Sequence, residues 1–333
     1  MIVDNPYNCL IPLIKKKAIE TNPILFHKGV NEVFHNIEAE FYDSIHKNMW
    51  QSLPIIFEKL ASKLVDLSSF NINRTLKLLD IGSGTGLSTE LILNSTLGDQ
   101  IKNITLLDSS YAMIEKSKQR AASWKVADVK FVTGYLDQIH DKYDIVLCSS
   151  LLHHIPDLGQ FLLKISEIQN PGSYFIHLQD PNSSALQSSV YKKRNNDFKV
   201  YKTQRIKQNQ TIFNKLKARL YIFRKKLFGT DYVSRVNKEL KRLNIIKKSL
   251  TASEIWSVTD IHVENLPYSV GEGISIKQIG NYLVTYQNIY NFSYSFFGPL
   301  SYELPEDLKA EENKLLFEND KFGRNIAGIW EKQ

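Results

Sequence analysis

Residues 78–86 read Leu-Leu-Asp-Ile-Gly-Ser-Gly-Thr-Gly, an apolar run closed by an acid and three alternating glycines. Leu76, Leu78, Leu79 and Ile81 suit a short strand buried on both faces, and the glycines end it abruptly. Glycine takes positive φ and lets a ligand approach the backbone, so Gly82, Gly84 and Gly86 mark a loop rather than a continued strand. From Leu87 the spacing turns helical, with Leu87, Leu91 and Ile92 on one face. The N-terminus of that helix points its free amides at whatever rests on the glycines. Strand, tight loop and helix in that order predict a nucleotide cradle in an α/β chain.

What the loop lacks narrows its ligand. A dinucleotide fingerprint needs a third glycine at position 87, where Leu stands, and no Lys-Ser/Thr pair follows for a triphosphate. Asp80 at the strand end repels a pyrophosphate and attracts the ammonium of an amino acid moiety. A second apolar run, Ile104-Thr-Leu-Leu-Asp108, also ends in an acid, the position from which a carboxylate takes both ribose hydroxyls. Dinucleotide enzymes share that feature. A third repeat is Lys130-Phe-Val-Thr-Gly-Tyr-Leu-Asp137, and the fourth runs from Tyr143 through Cys148, Ser149 and the His153-His154 pair to Pro156. Pro171–Leu178 reads as a fifth strand.

Over residues 76–182 these motifs resemble the class I (Rossmann-like) S-adenosylmethionine-dependent methyltransferases. The resemblance implies a mostly parallel seven-stranded sheet with an antiparallel last strand, N-terminal helices and an inserted helical lid. It implies S-adenosylmethionine as cofactor and S-adenosylhomocysteine as product, with Asp80, Gly82, Ser83, Gly84 and Gly86 on the amino acid end. Asp108 and Ser109 would hold ribose, and Met113 either packs on adenine or is an ordinary helix-face residue. The family usually has Asp directly after the glycine of the third repeat, where this chain has Tyr135. Asp137 either substitutes for it or is a solvated loop acid, with the backbone at Tyr135 and Leu136 reading the adenine edge. Ser149 closes the fourth strand beside the donor.

Transfer from a sulfonium is an in-line displacement with a good leaving group, so the protein's main contribution is alignment in a dry site. A base matters only where the acceptor has a proton to lose. His153 and His154 are the catalytic candidates, against a reading in which one packs and the other is solvated. Tyr42, Asp180, His262 and Tyr268 are candidates for the acceptor side; Tyr42 falls in a short segment similar to one that closes over the donor in many small-molecule members. His262 and Glu264, two apart, share a strand face and do not make a metal spacing. Only Cys9 and Cys148 are present, too few for a disulfide framework or a four-ligand site, so no metal is expected.

A length of 333 residues with 43% hydrophobic content allows one large or two modest domains. Three sections are expected: an N-terminal helical segment over 1–70, the core over 71–182 and 251–333, and a basic helical insertion over 183–250. The net charge is +7, yet residues 183–250 carry 19 Lys or Arg against three acids, so the remainder is acidic. Within the insertion, Ile212, Leu216, Leu220, Phe223 and Leu227 form one apolar stripe and Val233, Val236, Leu240 and Leu243 another. Before the cofactor loop, apolar residues from Val30 to Ile45 and from Ile56 to Leu67 recur at helical spacing. After the insertion, strands are expected at 292–297 and 326–330 with a helix after Pro305 between them. No signal peptide or membrane-length apolar run is read, so the chain is expected to be cytoplasmic without a membrane partner. The acceptor is expected to be a small molecule, anionic compounds and natural products included. The alternatives are an RNA or tRNA methyltransferase that tracks phosphates with the insertion, and a protein that binds the cofactor without turnover.

Overall fold

The computed structural model describes residues 5–68, 70–71, 73–126, 128–208 and 232–333. Its strands are β1 (Leu76–Ile81), β2 (Ile101–Asp108), β3 (Asp128–Thr133), β4 (Tyr143–Ser149), β5 (Gln169–Pro181), β6 (Tyr286–Tyr294) and β7 (Asn325–Lys332), in one sheet ordered β3-β2-β1-β4-β5-β7-β6. β1 to β5 are parallel, and β7 enters antiparallel between β5 and β6. This is the expected sheet, with the order reversing at β1, which pairs with β2 on one side and β4 on the other. Ligands of open α/β sheets bind in the crevice beyond the carboxyl ends of the strands at such a reversal. The glycine loop therefore opens at the one place in the sheet where the flanking connections diverge.

The helices of seven residues or more among the described residues are α1 (Ile11–Lys17), α2 (Pro23–Glu38), α3 (Pro54–Val65), α4 (Leu87–Leu93), α5 (Tyr111–Ala121), α6 (Leu158–Glu167), α7 (Ser189–Gln208), α8 (232–242), α9 (Ala252–Thr259), α10 (Ile276–Tyr282) and α11 (Glu306–Phe317). Alternate residues of each central strand serve two cores: Leu76 and Leu78 face α3, α4 and α11, while Leu79 and Ile81 face α6 and α10. Burial on both faces explains the near-continuous apolar runs. α7 buries Tyr191 and Phe198 and exposes Lys192, Lys193 and Lys199. Residues 212–227, with the first expected stripe of the insertion, lie outside the described residues.

A third core stands apart from the sheet. Leu13 of α1 and Phe26, Val30 and Val33 of α2 pack with Val236 and Leu240 of α8 and with Ile255 and Val258 of α9. α9 is started by a capping box in which the Thr251 hydroxyl accepts from Glu254 N while the Glu254 carboxylate accepts from Thr251 N. That carboxylate also meets Lys16 at 2.9 Å and Lys17 at 2.7 Å, tying α9 to α1. Burial opposes its ionisation, yet Lys17, the Thr251 amide and Lys16 together hold its pKa down to about 2.

Two departures from the expected elements have local causes. The helical spacing up to Ile45 is broken after Glu38, because Asp43 is drawn aside to accept from Thr85 Oγ1 at 2.9 Å and to pair with Arg120 at 2.9 Å. β6 begins earlier than expected and stops at Tyr294, because Ser295 takes a φ of 63° and the buried Glu312 accepts from both Ser295 N (2.6 Å) and Phe296 N (2.9 Å).

Candidate active site

The glycine loop is held by β2. Gly82 N and Ser83 N both donate to the Leu107 carbonyl, at 2.8 and 3.1 Å. Gly82 takes a φ of 67°, and a Cβ there would lie 2.7 Å from Leu151 Cδ1, so any other residue would be both strained and crowded. Gly84 N donates to Asp108 Oδ2 (2.9 Å) while Ser110 N donates to Oδ1 (2.8 Å), which fixes this carboxylate between the loops after β1 and β2. Gly134 N donates to the Asp108 carbonyl at 2.8 Å and brings the loop after β3 alongside.

Asp80 is fully buried beneath the loop. Its Oδ2 accepts from Ser88 Oγ and Thr89 Oγ1, each at 2.6 Å, whereas its Oδ1 and the hydroxyl of Ser83 are buried with no partner among the described residues. Burial raises the Asp80 pKa to about 6 against the pull of those hydroxyls. Above lies a cleft of about 330 Å³, counted to its open mouth, whose lining includes Tyr42, Gly82, Ser83, Gly84 and Ser149. No atom lies within 4 Å of where a Gly84 Cβ would stand, so the loop faces open space there.

Two clamps close over this cleft. Arg120 of α5 donates to the Thr85 carbonyl (2.6 Å), pairs with Glu90 (2.8 Å) and Asp43, and lays its guanidinium 4.1 Å from the centre of the Trp50 ring. It thereby pins the segment that carries Tyr42 onto the glycine loop. Asn36 of α2 accepts through Oδ1 from Ser110 Oγ (2.7 Å) and Ala112 N (3.2 Å), latching the N-terminal cap to the loop after β2.

Beyond β4 and β5 lies a cluster of ionisable groups. His153 is buried, with Nδ1 at 2.8 Å from Asp180 Oδ1 and Nε2 at 3.5 Å from Asp260 Oδ1. Desolvation works against the imidazolium, but Asp180 and Asp260 outweigh it and hold the His153 pKa up at about 9. The His154 ring lies 4.0 Å from that of His153 and donates from Nδ1 to the Thr259 carbonyl at 2.6 Å. Burial and then the neighbouring His153 charge push His154 down, so it is neutral near pH 7. His35 of α2 meets the His154 ring edge-on at 5.4 Å and binds Glu38, which also takes His46. The Tyr232 hydroxyl of α8 is buried with no partner among the described residues.

A sequence profile described as "Methyltransferase domain" matches residues 72–261, more than half of the chain. The chain belongs to this methyltransferase domain family. The chain is 27% identical over 144 residues to the ubiquinone biosynthesis O-methyltransferase of Rickettsia felis, spanning 38% of this chain and 54% of that protein. It is 29% identical over 120 residues to the hybrid PKS-NRPS synthetase thnA of Trichoderma harzianum, covering 34% of this chain and only 3% of the synthetase. Among solved structures it aligns with a putative sarcosine dimethylglycine methyltransferase from Galdieria sulphuraria at a TM-score of 0.45 and 12% identity, over 84% of this chain and 85% of that one.

In this member of the domain family the structure brings Gly82, Ser83, Gly84, Ser149 and Tyr42 to one cleft, with Asp80 beneath and Asp108 at the side. Met113 is buried on α5 and Ser109 lies between Asp108 and the α5 cap. Leu136 is buried, Lys28 stands over the Tyr135 ring at 4.3 Å, and Asp137 is exposed and ion-paired with Lys164 of α6. His262 frames the cluster rather than entering it: its N–H donates to the His153 carbonyl and its Nε2–H to that of Ile155. Tyr268 lies against Lys16 and Ser257, on the side of the cap. Sequence reading overlooked Asn36, Glu38, His35 and Arg120. His35 and Glu38 are three apart on one face of α2, the only local signal they leave.

Proposed function

We propose that this methyltransferase moves a methyl group from S-adenosylmethionine to an acidic oxygen of a small acceptor, such as a phenol, enol or carboxylic acid. When bound, S-adenosylmethionine supplies a sulfonium methyl that is displaced in line. The residues present fit it: the unpartnered Asp80 Oδ1 and Ser83 hydroxyl suit an ammonium and a carboxylate, and the Asp108 carboxylate suits a ribose diol. Tyr42 lines the same cleft and Arg120 holds its segment against the glycine loop, where exclusion of water would keep nucleophile and methyl carbon aligned.

The observation that carries the acceptor class is His153, buried between two carboxylates next to a neutral His154. The imidazolium stabilises an oxyanion as it forms, and the lone pair of His154 Nε2 takes the proton of an acidic hydroxyl. An acidic hydroxyl needs such a base, whereas an amine can lose its proton to solvent before it reacts. The basic stretch of the chain, exposed on α7 at Lys192, Lys193 and Lys199, adds attraction for anionic acceptors. The test is formation of S-adenosylhomocysteine with panels of phenols, carboxylic acids and amines of similar size. Turnover with the first two groups and none with amines is expected; amine methylation as the dominant reaction would overturn the acceptor assignment.

A further inference from the structure

We propose that His153, His154 and Asp260 form a binding site for a divalent transition-metal ion such as Zn²⁺ or Co²⁺. One donor atom from each residue lies within 4.8 Å of the other two, and His153 Nε2 and Asp260 Oδ1 stand 3.5 Å apart. Metal bonds of about 2.0–2.1 Å in a tetrahedral site put neighbouring ligand atoms about 3.4 Å apart, so this pair is already at coordination spacing.

Outer hydrogen bonds orient both rings: Asp180 accepts from His153 Nδ1–H and the Thr259 carbonyl accepts from His154 Nδ1–H. His154 Nδ1 also comes within 3.8 Å of Asp260 Oδ1. An ion bound at His153 Nε2 would take the place of the proton that faces Asp260, with Asp180 as the outer partner that ligating histidines usually have. Asp180 and Asp260 place two carboxylates around His153, a demand for positive charge that a divalent ion meets more fully than one proton. His154 and Asp260 are only partly buried, so solvent reaches the cluster. Three protein ligands with open positions are the pattern of metals that bind substrate rather than merely brace a fold.

The proposal rests on the reading that this cluster faces the acceptor, and it sharpens the acceptor class to compounds with two adjacent oxygens able to chelate, such as a vicinal dihydroxy or hydroxy-carbonyl group. Linear spacing hides the cluster: the two histidines are consecutive and Asp260 follows only after the basic stretch.

Tag-free protein, stripped with a chelator, is titrated with Zn²⁺ by calorimetry and with Co²⁺ by visible absorption. One ion per chain is expected, with a Co²⁺ ligand-field band. Asp260→Asn and His154→Gln should each weaken Zn²⁺ at least about tenfold, and Asp180→Asn roughly tenfold through the outer hydrogen bond. Thermal melts of the stripped variants check that they fold, and two ligand variants keep the test decisive if one does not. Absence of stoichiometric binding, or equal affinity across folded variants, would overturn the proposal and leave His153 as the holder of a proton alone. S-adenosylmethionine binding, measured separately on stripped protein with Asp108→Ala as its control, reports on the donor reading independently of the metal.

Discussion

At the scale of single residues, Asp80 and Asp108 do different work at adjacent strand ends. Asp108 has both oxygens fixed by backbone amides, so its lone pairs toward the cleft are pre-aimed. Asp108→Ala removes charge-assisted hydrogen bonds worth about 1.5–3 kcal/mol each, and donor affinity measured by calorimetry should fall at least tenfold; an unchanged value would exclude the ribose role. Asp80 instead carries a free oxygen and a carboxyl whose pKa burial raises to about 6. Its ionised form attracts an ammonium, so donor affinity should climb as pH rises from 5 to 7, and that climb should be absent in Asp80→Asn. The glycines, Asp80 and Asp108 were legible in the sequence because each belongs to a contiguous strand-and-loop motif. Glu38, Asn36 and Arg120 were not, since what gives them meaning is a partner on another element: His46, Ser110 and Asp43 respectively.

At the scale of elements, α5 and the start of α9 each tie distant segments together. Arg120 joins the segment around Asp43 to the glycine loop while stacking on Trp50. In Arg120→Met the loss of these charged contacts should speed donor release roughly tenfold, followed by stopped-flow fluorescence with Trp50 as a reporter. Glu254 serves α9 twice, as the capping-box acid and as the partner of Lys16 and Lys17. Glu254→Ala should cost about 1–2 kcal/mol and lower the melting temperature by a few degrees, read by calorimetry. The strands were legible because apolar runs between turn signals are local. The end of β6 was not, because it is decided by Glu312, which approaches from α11.

For the whole molecule, the sheet was readable from β1 to β5, and the reversed β7 followed from family likeness rather than from residue pattern. What no single stretch announced is the third core, in which α1 and α2 join α8 and α9. That core is consequently built from segments on either side of the first five strands in the sequence. The charge map also belongs to this scale: the excess of Lys and Arg over residues 183–250 is only partly offset by an acidic remainder, which leaves +7 overall. A small-molecule acceptor predicts no retention of mixed RNA in filter binding near 150 mM salt; tight binding that weakens steeply with salt would favour phosphate tracking instead. No helix among the described residues is long and apolar enough to cross a membrane.

The third core also sets a timetable for synthesis. Phe26, Val30 and Val33 emerge from the ribosome early, while Val236, Leu240 and Val258, which cover them, are made more than two hundred residues later. At about 5–20 residues per second that is a wait of roughly 10–40 s with an apolar helix face uncovered. Until those residues are made, the apolar face of α2 lacks the side chains that cover it in the folded chain, while its polar Asn36 is the group that latches the loop after β2.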